Sequence, residues 1–308
     1  MSLLRSTFIA LSTNSRLRHF AEQSSLGRRM SSRFVAGFQI EDALRATADL
    51  GRQGLAVTLD SLGENVSNPE QARHSAQIYH QLLDAIAHRG LNANVSLKLT
   101  QMGMDLGADL AGDIVAGLVA QAAEHNGFVR VDMEGTPYTQ ATIDLVRQLH
   151  AAEENHGHVG IVIQAYLRRS AADIDTLLRD GIRIRLCKGA YKEPPELAYP
   201  AKSDVDANFI ALMKTLLKSG VYHGIATHDE AMVAATKEFV RAERIDRASF
   251  EFQMLYGIRR DLQRKLVEEG YRVRIYVPFG DEWYPYFMRR LAERPANVLF
   301  LARNFFRS

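Results

Sequence analysis

The stretch Ile182-Arg-Ile-Arg-Leu-Cys187 reads as a β-strand, in which alternate side chains face opposite ways. Ile182, Ile184 and Leu186 share a face suited to packing against helices. Arg183, Arg185 and Cys187 share the other face and point inward. A buried arginine needs a carboxylate or another anion, and Asp132 or Glu134 would serve Arg183. Just before this strand, Ala171–Arg179 carries apolar residues at spacings of three and four, the mark of an amphipathic helix, and Gly181 closes it.

The same unit recurs along the chain. Leu55–Leu59, Val95–Leu99, Phe128–Met133, Val159–Gln164, Val221–Thr227, Phe250–Met254 and Val273–Val277 read as further strands. Helical runs lie between them: His74–His88, Leu110–His125, Tyr138–Asn155, Asp204–Lys218, Glu230–Arg241 and Ile258–Glu269. An eighth, Glu282–Ala292, follows the last strand. Eight strands joined by seven helical crossovers predict an α/β protein with a distorted (β/α)8 TIM barrel. An open doubly wound sheet would usually carry a glycine-rich dinucleotide loop after its first strand. Here Asp60-Ser-Leu-Gly-Glu64 stands there, with a single glycine.

Composition agrees with one globular unit. The chain has 308 residues, 46% of them hydrophobic, and a formal net charge of +2. That near balance argues against nucleic acid as a partner. A single cysteine excludes an internal disulfide framework and any multi-thiolate metal centre. No apolar run reaches the length of a membrane span. Residues 1–33 hold six arginines against one acid, Glu22. They read as a basic, helical N-terminal arm, packed on the domain, touching an anionic membrane or acting in targeting. Residues 34–308 form the remaining single domain.

Barrels carry their chemistry at the C-terminal ends of the strands, and these ends are polar here. Asp60 and Glu64 follow strand one, Lys98 strand two, and Asp132 and Glu134 strand three. Gln164 ends strand four, while Arg185 and Lys188 mark strand five. Thr227, His228 and Asp229 follow strand six, Gln253 and Tyr256 strand seven, and Tyr276 strand eight. On the last helix, Tyr286, Arg289, Arg290 and Glu293 share a face at spacings i, i+3, i+4 and i+7. Paired arginines suit a carboxylate or phosphate. Lys98 or Lys188 would also suit a Schiff base, as in barrel aldolases. No histidine and acid set makes a specific metal site, and His223 and His228 read as loop or cofactor-contacting residues.

In order and spacing, these motifs resemble the proline dehydrogenase family, in its bacterial monofunctional branch. The resemblance rests on Phe34-Val-Ala-Gly37, Thr58-Leu-Asp-Ser-Leu-Gly-Glu64, Ser96-Leu-Lys-Leu-Thr100, Val131-Asp-Met-Glu134 and Gln164-Ala-Tyr-Leu167. It continues through Arg185-Leu-Cys-Lys-Gly-Ala-Tyr191, Ala226-Thr-His-Asp229, Phe250-Glu-Phe-Gln-Met-Leu-Tyr-Gly257, Arg274-Ile-Tyr-Val-Pro278 and Tyr286-Phe-Met-Arg-Arg290. It implies a barrel that binds FAD non-covalently, oxidises L-proline to 1-pyrroline-5-carboxylate and passes electrons to a membrane quinone.

By that resemblance Lys98, Arg289 and Arg290 hold the proline carboxylate, and Asp132 orients the lysine and Tyr276. Tyr276 packs on the proline ring and Tyr286 lines the pocket, with Leu255 as an apolar wall. Glu64 pairs with Arg289 to close the site, and Glu293 steadies the two arginines. Gln164 and Arg185 lie near the flavin ring. Lys188, Gly189, Ala190, Thr227 and His228 lie along the rest of the cofactor. Lys192 departs from the aromatic residue common at its position in the family.

The resemblance further implies cytoplasmic placement, with peripheral contact at the inner face of the plasma membrane. At 308 residues there is no length for the aldehyde-dehydrogenase half or the DNA-binding segment of bifunctional relatives. The product would pass to a separate pyrroline-5-carboxylate dehydrogenase.

Overall fold

The computed structural model describes residues 32–64 and 66–293, and of residues 289–293 the backbone alone. Eight parallel strands close on themselves in the order β1 to β8, with β8 pairing back to β1. The strands are β1 Ala56–Ser61, β2 Ala93–Leu97, β3 Val129–Val131, β4 Val159–Gln164, β5 Arg183–Cys187, β6 His223–Ala226, β7 Phe250–Leu255 and β8 Arg272–Phe279. The barrel expected from the sequence is therefore present.

The crossover helices are α2 Pro69–His88, α3 Ala108–Glu124, α4 Thr136–Ala151, α5 Ser170–Arg179, α6 Lys202–Lys218, α7 Glu230–Ala242 and α8 Arg260–Glu268. Their starts follow local chemistry. Asn68 caps α2 by accepting from the Gln71 amide at 3.0 Å, and Pro69 occupies its first turn. The helix thus begins five residues before the expected His74. Asp229 caps α7 by accepting from the Ala231 amide at 3.0 Å.

Two helices distort the plan. α1, Ile40–Gly51, precedes β1 and packs against both β1 and β8. The expected pattern omitted it. The Asp42 carboxylate starts it by accepting from the amides of Phe38 and Gln39, each at 3.2 Å. It covers the seam where the last helix of a regular barrel would lie. That last helix, α9 (Trp283–Glu293), instead buries Trp283, Tyr284, Tyr286, Phe287 and Met288 against Phe34, Val35, Leu62 and Ile258. Leu62 and Ile258 lie just beyond β1 and β7, so α9 sits across the C-terminal end of the barrel.

Strand alternation divides core from interior. Ile184 and Leu186 of β5, and Val95 and Leu97 of β2, are fully buried beneath the helices. The inward faces are polar, but their pairing differs from the expectation. Arg185, not Arg183, binds Asp132. Arg183 lies over the rings of Phe128 and Tyr222, at 5.4 and 5.9 Å from their centroids. Glu134 turns away to Thr100, accepting from its amide at 3.0 Å and its hydroxyl at 2.6 Å. Deeper still, Arg274 Nε donates to Glu251 at 2.7 Å. Gly224 of β6 makes room for this layer, since a Cβ there would overlap the Gln253 side chain.

His223 also differs from its expected role. It lies within β6, buried, where Nδ1 accepts from the Ile184 amide at 3.0 Å and Nε2 meets Ser219 Oγ at 2.9 Å. It is a structural histidine that joins the start of β6 to β5.

Candidate active site

β2 ends at Leu97, and the chain then turns, with the Lys98 carbonyl accepting from the Met102 amide. Lys98 therefore stands on the lip of the barrel, with its ammonium 3.3 and 3.4 Å from the two oxygens of Asp60. Burial alone would lower the lysine pKa. The carboxylates of Asp60, Asp132 and Glu64 outweigh it and hold the ammonium charged well above its usual range. Burial pushes the Asp60 carboxyl up, against the pull of the ammonium. The Tyr79 hydroxyl of α2 supports this pair: it donates to the Ser96 carbonyl at 2.9 Å and lies 3.4 Å from Asp60 Oδ1.

Asp132 follows β3 and gathers three donors. Its Oδ1 accepts from Ser96 Oγ at 2.6 Å and from Arg185 Nη1 at 2.8 Å. Its Oδ2 accepts from the Tyr276 hydroxyl at 2.7 Å. Burial, then Asp132 and Asp60, raise the Tyr276 pKa well above the ordinary phenol range, so this hydroxyl is a donor at neutral pH. The Arg185 guanidinium lies over the Tyr276 ring, 5.1 Å from its centroid. Gln253 Oε1 accepts from Arg185 Nε at 2.5 Å. Asp132 thus accepts from the tyrosine hydroxyl, while the carboxylate within hydrogen-bond reach of the lysine is Asp60, and Asp132 reaches the ammonium through its charge alone.

Glu64 stands in the loop after β1, close enough for its charge to act on Lys98 and Glu134. Tyr191 joins the group from the loop after β5. Its side chain is partly exposed; desolvation of the hydroxyl end, then Glu134 and Glu64, raise the phenol pKa. Leu255, at the end of β7, packs on the α9 cluster that buries Tyr286. The side chains of Arg289, Arg290 and Glu293 lie outside the described residues, although α9 carries all three positions. Most of the arm at residues 1–33 also lies outside them.

A second group surrounds the ends of β4 to β6. Gln164 donates through Nε2 to the Glu134 carbonyl at 3.0 Å, and its Oε1 accepts from the Ala190 amide at 3.2 Å. Gly189 has φ +122°, and a Cβ there would overlap the Tyr166 ring. Lys188 is held between Asp206 at 2.5 Å and Asp229 at 2.8 Å. That contact, chiefly, depresses the Asp229 pKa to about 2. Thr227 is buried, and its Oγ1 accepts from the Asp229 amide at 3.1 Å. His228 Nε2 accepts from the Leu255 amide at 2.8 Å, so the neutral ring carries its proton on Nδ1.

The expected site residues thus fall into two neighbouring groups at one end of the barrel. Strand-end polarity pointed to Asp60 and Gln253 without giving them roles, and to Glu134 only as a partner for Arg183. Ser96, Tyr79 and Tyr191 were missed. Ser96 had a visible signal, because it shares the inward face of β2 with Lys98. Tyr79 had none, since a tyrosine at helical spacing reads as core.

What the assembly can do follows from its charges. A fixed ammonium and a fixed guanidinium flank a neutral phenol, with apolar surface from Leu255 and α9 alongside. With each of these cations paired to a carboxylate, the mouth suits a small polar molecule with an apolar body, and an anion only with further cations such as those α9 carries at 289 and 290.

Comparison with known proteins agrees. A family model described as proline dehydrogenase matches residues 43–303. Proline dehydrogenase 1 of Bacillus subtilis (strain 168) is 41% identical over 302 residues, covering 98% of each chain. Proline dehydrogenase of Deinococcus radiodurans is 43% identical over 279 residues, 89% of each. The crystal structure of proline utilization A (PutA) from Bdellovibrio bacteriovorus, inactivated by N-propargylglycine, superposes with a TM-score of 0.83 at 26% identity. The match covers 94% of this chain and 36% of that one.

Proposed function

The chain belongs to the proline dehydrogenase family, and on that premise we propose that it oxidises L-proline to 1-pyrroline-5-carboxylate with FAD as its cofactor. The observation that carries this reading is the convergence of Lys98, Arg185 and Tyr276 around Asp60 and Asp132.

The residues present fit a flavin. Arg185 is fixed through Nε and Nη1, which leaves Nη2 uncommitted among the described residues. Gly189 and Ala190 present exposed backbone beside Gln164. Gln164, Arg185, Lys188, Gly189, Ala190, Thr227 and His228 would hold the cofactor. A bound FAD would supply the two-electron acceptor for proline oxidation, with a membrane quinone as the eventual electron sink.

The protein's own part is positioning. Lys98, kept charged by Asp60, binds the proline carboxylate together with Arg289 and Arg290 of α9. Tyr276 packs on the substrate ring, with Leu255 and Tyr286 forming the apolar wall. Asp132 holds the Tyr276 hydroxyl and Arg185 in one arrangement. Glu64 closes the site toward Arg289. The Arg185 cation favours negative charge developing on the neighbouring ring.

Residues 34–308 act as one catalytic unit, and the basic arm contacts the membrane surface that holds the quinone. That contact lies at the cytoplasmic face; among the described residues no helix is long and apolar enough to cross a membrane. The product passes to a separate pyrroline-5-carboxylate dehydrogenase. Substitution of Arg289 or Arg290 by Met tests the carboxylate assignment: KM for proline rises while the visible flavin spectrum is retained. An unchanged KM in both variants contradicts it.

A further inference from the structure

Gln253, on the inward face of β7, stands between two charged groups. Its Nε2 donates to Glu251 Oε1 at 2.6 Å, and its Oε1 accepts from Arg185 Nε at 2.5 Å. An amide has one donating end and one accepting end. An ionised carboxylate only accepts, so Glu251 draws the amino end and leaves the carbonyl for Arg185. Reversing the amide would set its N–H groups against the Arg185 N–H.

Glu251 is well fixed for this task. It is buried, two residues deeper along β7 than Gln253. Arg274 Nε donates to it at 2.7 Å and the Tyr222 hydroxyl at 3.0 Å. Burial would raise its pKa, but Arg274 and these hydrogen bonds reverse that and lower it. The bonded order is Tyr222, Glu251, Gln253, Arg185, Asp132. It runs from the interior of the barrel to the mouth.

We propose that Glu251 is a positioning residue for the cofactor, which through Gln253 fixes the Arg185 guanidinium against the flavin and so favours its reduced form. This rests on the reading above, in which Arg185 faces the flavin. Glu251 touches neither substrate nor cofactor.

The test compares the reduction potential of bound flavin in the holoenzyme with that of three variants. Glu251→Met combined with Arg274→Met replaces a buried ion pair by apolar side chains, an exchange that proteins often tolerate. It keeps the net charge and releases the amide. Gln253→Met removes the acceptor directly. Tyr222→Phe removes one bond to Glu251 but leaves the amide bound. The double variant and Gln253→Met should each lose at least tenfold in preference for reduced flavin, about 30 mV for two electrons. Tyr222→Phe should stay within threefold of wild type.

Wild-type potentials in Gln253→Met, or a Tyr222→Phe shift as large as the others, would overturn the proposal. If the double variant does not fold, Glu251→Leu with Arg274→Leu takes its place, and a wild-type potential in it overturns the proposal. Wild-type protein that takes up no FAD removes the underlying reading, and the proposal with it. Wild-type protein that bleaches with proline, with all variants unshifted, removes the proposal alone.

Discussion

The Tyr276 hydroxyl donates to Asp132 Oδ2 at 2.7 Å, while the opposite oxygen of that carboxylate holds Arg185 at 2.8 Å. One acid therefore fixes both the tyrosine proposed to touch substrate and the arginine proposed to touch cofactor. Tyr276→Phe keeps the ring but strips a donor from a partly buried carboxylate. It should cost about 1 kcal/mol, fivefold to tenfold in kcat/KM. Tyr276→Ser removes the ring and should narrow the preference for proline over 4-hydroxyproline. Steady-state kinetics with both substrates checks this, and an unchanged preference in Tyr276→Ser contradicts the packing role.

Asp60 is the largest of three carboxylate influences that keep Lys98 charged. With Asp60→Asn only Asp132 and Glu64 oppose burial, and the lysine pKa should fall. The alkaline limb of kcat/KM for proline should then move to lower pH than in the wild type. A limb that stays in place argues against Asp60 as the group that sets the lysine charge. The same charge opposes Schiff-base chemistry, which needs a neutral amine. Borohydride treatment with a carbonyl compound at neutral pH should leave Lys98 without an adduct by mass spectrometry.

Much of this architecture was legible in the sequence because two periodicities carry it. Period two in Ile182–Cys187 separates core from interior, and spacings of three and four mark the crossovers. The C-terminal ends of the strands then collect Asp60, Lys98, Asp132, Arg185 and Tyr276. Pairing within that set was not legible. Arg183 and Arg185 share a face, and the partner of each depends on its height along the barrel, which the register of β5 against β4 fixes. The roles of Asp60 and Asp132 toward Lys98 were not separable for a similar reason: both acids act on the ammonium, and only its position shows which one it touches. Helix α1 was missed because no strand precedes it to frame it.

His223 gives the fold a pH dependence. Burial, reinforced by Arg130, lowers its pKa to about 3 from the ordinary 6.5. Between these values the unfolded chain binds a proton that the folded protein does not. The stabilisation is therefore whole above pH 6.5 and is lost as pH falls toward 3, at about 1.4 kcal/mol per unit. His223→Gln should flatten that slope. Urea unfolding of both proteins at pH 7 and pH 5 measures it, and parallel slopes contradict the assignment.

Gly189 holds the loop after β5 at φ +122°, against the Tyr166 ring. Gly189→Ala places a side chain in a disfavoured conformation and into that ring. It should destabilise the fold by about 1–3 kcal/mol and weaken FAD retention. Urea titration and flavin stoichiometry report the two effects. Unchanged values for both would mean that the loop relaxes freely.

The most direct measurement is the visible spectrum of the purified protein, reconstituted with FAD where needed, before and after anaerobic addition of L-proline. The account predicts a flavin spectrum that bleaches as proline is oxidised. A protein that remains colourless after incubation with FAD, or a bound flavin that proline leaves oxidised, would contradict it.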